Sequence, residues 1–288
     1  MSAPSADEPP FRRIAIVGLG LIGGSVALAL RERWPQIRIV AVDRGAVLAH
    51  ALGSGAIDRA AGQLSEIGDT DLIVLAAPVR QNVEMLSQLA THLNGTTVIT
   101  DVGGTKRDIV RAAEALPHVT FIGGHPLGGA ERGGFGFARP DLFRNRPWIF
   151  TPRPAVPGDG LERLFRLTEG MGARPSTLDA AQHDRLMAFL SHLPQLTASA
   201  LMDVVGTAAA DGLRLAGRGL VDTTRLASSP PGLWRDICAS NADEIGRALD
   251  LLISRLADLR ADLVGGARLE TIFEDAGRWR AELIKGRD

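Results

Sequence analysis

The sequence predicts a doubly wound α/β domain with a mostly parallel sheet, followed by an all-helical domain. Three observations carry this. Short runs of β-branched apolar residues alternate with helical patterns through the first half of the chain. A glycine-rich turn joins the first of those runs to the first helix. Beyond about Asp179 the strand signals stop, and apolar residues recur at spacings of four and three. A chain of 288 residues also exceeds a single core of ordinary size, because cores stop growing near ~250–300 residues. We therefore expect a disordered tail at 1–10, a dinucleotide-type sheet domain at 11–179 and a helical domain at 180–288.

Taken in order, IAIVG after Arg13 reads as a buried strand and is followed by a helix to about Trp34. Further strands are expected at IRIVAVD (37–43), DLIVLAAP (71–78), TTVITD (96–101), VTFIG (119–123) and PWIFT (147–151). Helical patterns at 80–93 and 106–116 separate several of them. Strands that are apolar throughout are covered on both faces, as parallel sheets are. A weaker helix at 160–171 and an edge strand at 174–178 complete the domain. In the second half, Cys238, Ala242, Ile245, Leu249, Leu252, Leu256, Leu259 and Leu263 form one apolar stripe, and Gly265-Gly266 ends it as a C-cap would. Such a stripe serves either an intramolecular bundle or a dimer interface.

Composition narrows the function classes. Apolar residues make up 45% and charged residues 23%, which excludes wholesale disorder. The formal net charge of −1 lacks the basic footprint of a nucleic-acid binder. One cysteine, Cys238, has no internal partner, which fits a reducing, cytoplasmic setting. No apolar run reaches the ~18–20 residues that cross a bilayer, and the Pro- and acid-rich first ten residues do not read as a signal peptide. Neither nucleic acid nor membrane is an expected partner. Of 32 basic residues only Lys106 and Lys285 are lysines, and tyrosine is absent.

The turn Gly18-Leu-Gly20-Leu21-Ile22-Gly23 follows a strand and opens a helix. Its glycines permit a tight turn, backbone approach to a pyrophosphate and close helix–strand contact, while the helix N-terminus offers free N–H groups. Asp43 ends the next strand about 20 residues on, where a carboxylate meets the adenine-ribose hydroxyls. That carboxylate favours NAD and repels a 2′-phosphate; Arg44 beside it keeps NADP open as the alternative. Ala77-Pro78 closes the DLIVLAAP strand with the small residues that a nicotinamide ribose needs, or with a simple turn. This is a Rossmann-type signature.

Six segments go further: GLGLIGGS (18–25), TDVGGTK (100–106), the glycine-rich segment 123–134, ARPDLFRNRPWIFTP (138–152), HDRLMAFLSHLP (183–194) and VDTTRLASSPPGLWRDI (221–237). In this order, over about residues 12–240, they closely resemble the prephenate/arogenate dehydrogenase family of tyrosine biosynthesis. The resemblance implies an NAD(P)-dependent oxidative decarboxylation of a small cyclohexadienol acid and a homodimer formed through the helical domain, with the active site between the domains. It implies no metal. Matched residue by residue, His125 is the catalytic base, a role that a neutral imidazole with reference pKa near ~6.5 can fill. Arg225 is the carboxylate-binding arginine, whose planar fork suits that partner, with Asp222 three residues earlier expected to hold it. His192 lines the substrate site, beside a Pro194 that should kink its helix. His183-Asp184 is expected chiefly to start that helix. Glu131, Trp234 and Arg139 read as supporting or packing residues.

The chain departs from the family at one point. Where the family usually has DxGSxK, this chain has Gly104, so a serine hydroxyl expected near the substrate is missing. Thr105, a water or a shifted contact is left to replace it. Two other readings remain: a β-hydroxyacid-type dehydrogenase, which needs a lysine in the helical half where only Lys285 is present, and a non-catalytic NAD-binding sensor.

Overall fold

The computed structural model describes residues 8–91, 96–116, 118–129, 132–153 and 158–285. Eight strands form one sheet in the order β3-β2-β1-β4-β5-β6-β7-β8. They are β1 (Arg13–Val17), β2 (Arg38–Val42), β3 (Arg59–Ala61), β4 (Leu72–Leu75), β5 (Val98–Asp101), β6 (Thr120–Pro126), β7 (Pro147–Pro152) and β8 (Arg174–Thr177). Strands β1 to β6 pair in parallel. Strand β7 runs antiparallel to β6, and β8 parallels β7. The helices of this part are α1 (Leu21–Arg33), α2 (Gly45–Gly53), α3 (Val79–Leu89), α4 (Arg107–Glu114) and α5 (Gly160–Gly170).

Side chains alternate across a strand, and β1 shows what that does here. Ile14 and Ile16 enter one core with Leu30, Trp34, Phe150 and Leu164, while Ala15 and Val17 enter the opposite core with Leu86, Ile99, Ile109 and Ala113. Both faces of the sheet are thus covered, which explains why its strands read as unbroken apolar runs. Because β1 has β2 on one side and β4 on the other, a crevice opens at the carboxyl ends of β1 and β4, where such folds bind ligands.

Two features of the sheet differ from the sequence reading. Helix α2 and strand β3 were not anticipated; β3 is three residues long and polar at its start, too short to show periodicity. Strand β6 runs past the expected end at Gly123 and includes His125. The parallel ladder with β5 ends at Ile122, but antiparallel β7 continues it, pairing His125 with Ile149. At the N-terminus, residues 1–7 of the expected tail lie outside the described residues. Residues 8–10 are docked: the carbonyls of Glu8 and Pro10 accept from Arg166 and Arg163 of α5.

After β8, no strand occurs among the described residues. Helix α6 (Ala180–Met187) passes through a π-type turn, Ala188–His192, into α7 (Leu193–Ala208). Pro194, which has no N–H to give to the ladder, sits just past this widened turn. Then follow α8 (Arg218–Thr223), α9 (Pro231–Ser240), α10 (Ala242–Ala261) and α11 (Ala267–Lys285). The apolar stripe expected over 238–263 is not one helix: Cys238 belongs to α9, the backbone breaks at Asn241, and the stripe resumes in α10. Gly266 takes the left-handed conformation (φ 86°) of a helix-ending glycine. The chain packs as two compact units, Met1–Asn241 and Ala242–Asp288, so α6–α9 pack with the sheet.

A fully buried ion pair ties the ends of β5 and β6 together. Lys106 Nζ pairs with Asp101 and also donates to the Gly124 carbonyl at 2.8 Å. Asp101 in turn accepts from the N–H groups of Gly103 (2.8 Å) and Gly124 (3.1 Å). Removing one partner of such a pair strands a buried charge, at a cost of about 3–5 kcal/mol. Lys106→Met should therefore lower the urea midpoint sharply, and adding Asp101→Asn should recover most of the loss. Equal midpoints for Lys106→Met and wild type would show that the pair does not stabilise the sheet.

Candidate active site

The strand register that carries His125 past its parallel neighbour brings its ring to α6. His125 Nδ1 lies 2.9 Å from His183 Nε2, and His183 Nδ1 lies 2.8 Å from Asp184 Oδ1. A carboxylate only accepts, so His183 carries its proton on Nδ1 and offers a lone pair at Nε2. His125 must then donate from Nδ1, which leaves its Nε2 unprotonated. Two contacts thus fix two tautomers and expose one base.

Asp184 is itself held by helix α4, which has no side-chain cap of its own. Its carboxylate accepts from the backbone N–H groups of Lys106 (2.7 Å) and Arg107 (2.9 Å), the free donors at the start of that helix. Burial opposes ionisation of Asp184, but the hydrogen bonds from His183 and from these N–H groups outweigh it and hold the carboxyl below its ordinary value. Burial, reinforced by His183, Lys106 and His192, drives the His125 imidazole well below 6.5. Burial also lowers His183, against the opposing pull of Asp184.

His192 occupies the last position of the π-type turn and is buried. The Trp234 ring stands edge-on to it at 6.0 Å between centroids. Burial pushes the His192 imidazole down to about 4, the nearby Asp184 notwithstanding. All three histidines are therefore neutral at physiological pH.

The glycine loop has the geometry that a dinucleotide requires. Gly18 has φ 98°, and a Cβ there would sit 2.7 Å from the Ala76 carbonyl oxygen; a Cβ on Gly23 would overlap the Gly18 carbonyl. Above Gly20 the space is open, and α1 begins there with no side-chain cap, Leu21 and Ile22 forming its first turn. Asp43 accepts from the Leu19 N–H at 2.6 Å, and its other oxygen accepts from the Arg44 N–H at 2.6 Å, while the Arg44 side chain projects into solvent. The Ala77-Pro78 turn is fastened by Asn82, which accepts from Ala77 N–H at 3.1 Å and donates to the Leu75 carbonyl. An uncapped helix start, a glycine cradle and a carboxylate at the β2 end fit a dinucleotide with free ribose hydroxyls.

Other expectations are revised. Thr105 is 1% exposed and its hydroxyl bonds Ser240 Oγ at 2.8 Å. Ser240 already gives its own proton to a backbone carbonyl one turn back, so Thr105 braces α9 and does not replace the missing serine. A Cβ on Gly104 would lie 3.9 Å from His125 Nε2 and 3.5 Å from Ile237 Cδ1, in ordinary contact. Asp222 and Arg225 are not on one helical face. Helix α8 ends at Thr223, Arg225 opens a separate 3-10 turn (Arg225–Ser228), both side chains are exposed, and no ion pair joins them. The turn carrying Arg225 is instead anchored through Gln195 of α7, which donates to the Leu226 carbonyl (2.7 Å) and accepts from Ser229 Oγ (3.0 Å). Glu131 lies outside the described residues. Arg139 is exposed, its side chain beside Asp141 and its backbone N–H donating to Ser25 Oγ of α1 at 3.0 Å.

Known proteins resemble this chain in sequence and in fold. Residues 26–177 match the family model for the prephenate dehydrogenase nucleotide-binding domain, and residues 179–274 that for the prephenate dehydrogenase dimerization domain. The chain is 36% identical to prephenate dehydrogenase of Bacillus subtilis over 257 residues, covering 86% of this chain and 69% of that protein. It is 31% identical to cyclohexadienyl dehydrogenase of Zymomonas mobilis, covering 96% and 98% of the two chains. Among solved structures, prephenate dehydrogenase from Aquifex aeolicus in complex with hydroxyphenyl propionate and NAD+ superposes with a TM-score of 0.88 at 28% identity, over 94% of this chain and 98% of that one. Arogenate dehydrogenase from Synechocystis gives 0.80 at 28% identity, over 94% and 99%. A 3-hydroxyisobutyrate dehydrogenase from Mycobacterium tuberculosis, at 15% identity and a TM-score of 0.57, shares the fold alone. With a glycine cradle at the start of α1 and family models spanning both halves of the sequence, the chain belongs to the prephenate dehydrogenase family.

Proposed function

We propose that this chain oxidises and decarboxylates prephenate or arogenate with NAD in tyrosine biosynthesis, with His125 as the general base. The observation that carries the reading is the Asp184–His183–His125 chain of hydrogen bonds, which leaves His125 Nε2 as a bare, neutral acceptor. Asp43 beside the glycine loop supports NAD over NADP. NAD, held by Gly18, Gly20, Gly23 and Asp43, would supply the hydride acceptor for C4 of the ring. His125 Nε2 takes the C4 hydroxyl proton as that carbon is oxidised. The C1–carboxylate bond then breaks, its electron pair enters the ring, CO2 departs, and the proton held on His125 returns to the ring oxygen as the phenol forms. Charge and protons balance without another acid.

His183 and Asp184 act as positioning residues, since neither needs to touch substrate. His192 contributes a polar contact to the substrate, and Arg225 pairs with a substrate carboxylate from its 3-10 turn, without Asp222 as its holder. The reacting alcohol is oriented without a side chain at position 104. We further propose a division into domains near residue 179 and a homodimer formed through residues 180–288. In the single chain, Leu256 and Leu263 of the stripe, with Phe273 and Trp279 of α11, remain uncovered, an apolar surface of the kind that a subunit interface buries. No helix among the described residues is long and apolar enough to cross a membrane, and the single cysteine supports a cytoplasmic location.

Absorbance at 340 nm during incubation with prephenate or arogenate and NAD tests the activity; a flat trace with both would sink it. His125→Asn should lower kcat by roughly 10²–10⁴, and retention of wild-type turnover would remove His125 from the chemistry. Arg225→Ala should raise KM far more than it lowers kcat; an unchanged KM would take it out of the pocket. Because burial holds His125 below 6.5, kcat/KM should stay level as pH falls through 6.5 and decline only lower. Below 6.5 the unfolded chain gains protons that these three histidines refuse when folded, so stability should also fall from pH 6.5 towards 4. An acid limb of kcat/KM centred at or above 6.5 would contradict the burial argument.

A further inference from the structure

Asn241, at the end of α9, is fully buried and uses its amide on both sides. Its Oδ1 accepts from the Arg107 guanidinium at 2.9 Å, and its Nδ2 donates to the Asp184 backbone carbonyl at 2.8 Å. Guanidinium can only donate and a carbonyl can only accept, so the amide has one orientation. The second Nδ2 proton is then left for His192, whose Nδ1 lies 3.3 Å away. A ring nitrogen facing an amide donor must carry a lone pair, which puts the imidazole proton on Nε2. The Trp234 ring packs against the same imidazole, nearly perpendicular to it.

We propose that Asn241 is a positioning residue that holds His192 as the Nε2–H tautomer, so that the site offers one substrate a donor from His192 and an acceptor from His125. Nothing in the sequence marks Asn241 for this role; it falls at the helix break that interrupts the apolar stripe. The two histidines are chemically identical and neutral, and their opposite hydrogen-bonding characters come from what faces each Nδ1. His125 donates there to His183, whereas His192 accepts there from Asn241. The acid groups of either substrate are acceptors, and a donor at His192 serves a carboxylate oxygen with no proton rearrangement. A flipped imidazole would set a lone pair against that oxygen and leave a buried acceptor unsatisfied. Losses of this kind lower binding by roughly tenfold or more.

The inference rests on the proposed substrate role of His192, and its test separates the two. Long-range 1H–15N correlation spectra of histidine-labelled enzyme with NAD report the protonation of each nitrogen in its six histidines, with the His192 signals assigned by their loss in His192→Asn. Wild type should show His192 protonated on Nε2 and bare on Nδ1 from pH 6 to 9; protonation on Nδ1, or a mixture of tautomers, would overturn the inference without any kinetics. Asn241→Asp replaces the donor by an acceptor. It should move the His192 proton to Nδ1 and raise KM about tenfold while changing kcat by less than about threefold. Asn241→Ser, too short to reach the ring, should give mixed tautomers and an intermediate KM, and it serves if the aspartate variant does not fold. A moved proton with an unchanged KM would show that Asn241 sets the tautomer to no purpose and would overturn its positioning role. If wild type turned over neither prephenate nor arogenate, the proposed function would fail, while the nitrogen spectra would still decide the tautomer.

Discussion

The carboxylate of Asp184 is the contact on which the arrangement of the site depends. It stands on α6, yet its partners are the opening N–H groups of α4, the Arg107 guanidinium at 3.3 Å and the ring of His183. Helix α4 supplies unsatisfied donors and the positive end of its dipole, and Asp184 supplies the charge that both favour. That one group therefore anchors the first helix beyond the sheet, keeps itself ionised despite burial, and dictates the tautomers of two imidazoles. Without it, neither ring would have a reason to leave Nε2 of His125 free.

The second constraint is how little charge the site carries. Three histidines are neutral, and the buried ammonium of Lys106 is matched by Asp101. The ionised Asp184 is likewise matched by the Arg107 guanidinium at 3.3 Å, so no cation of this cluster is left without a counter-charge, and the proposed role of Arg225 would bring positive charge from its exposed turn. Lys106 does two jobs at once: it locks β5 to β6 immediately before His125, and its field discourages protonation of that ring. This also answers the question posed by a chain with two lysines. The one near the site is fully engaged in the fold and is not a free catalytic amine.

Much of the fold was legible in the sequence because its signals are local. Fully apolar runs such as IAIVG and DLIVLAAP reflect a sheet covered on both faces, and the glycine spacing reflects backbone contacts among Gly18, Gly23 and Ala76. The roles expected of His125 and Arg225 come only through resemblance to a family, since a lone imidazole or guanidinium carries no local signature. What stayed hidden depends on distant pairing. His125 lies in a strand because β7, more than 20 residues later, extends the ladder. His183-Asp184 read as a helix start because the partners of both side chains come from β6 and α4. Asn241 and Gln195 had no signal at all, as an isolated amide in a helical pattern is normally solvated. Thr105 was misjudged for the same reason: its neighbour Ser240 is 135 residues away.

Proton positions on the two coupled rings are the most direct test of this account. Neutron diffraction from deuterium-exchanged crystals at about pH 8 would locate them. Deuterium is expected on Nδ1 of both His183 and His125, with none on Nε2 of His125. Deuterium on Nε2 of His125, with a bare Nδ1 facing His183, would contradict it.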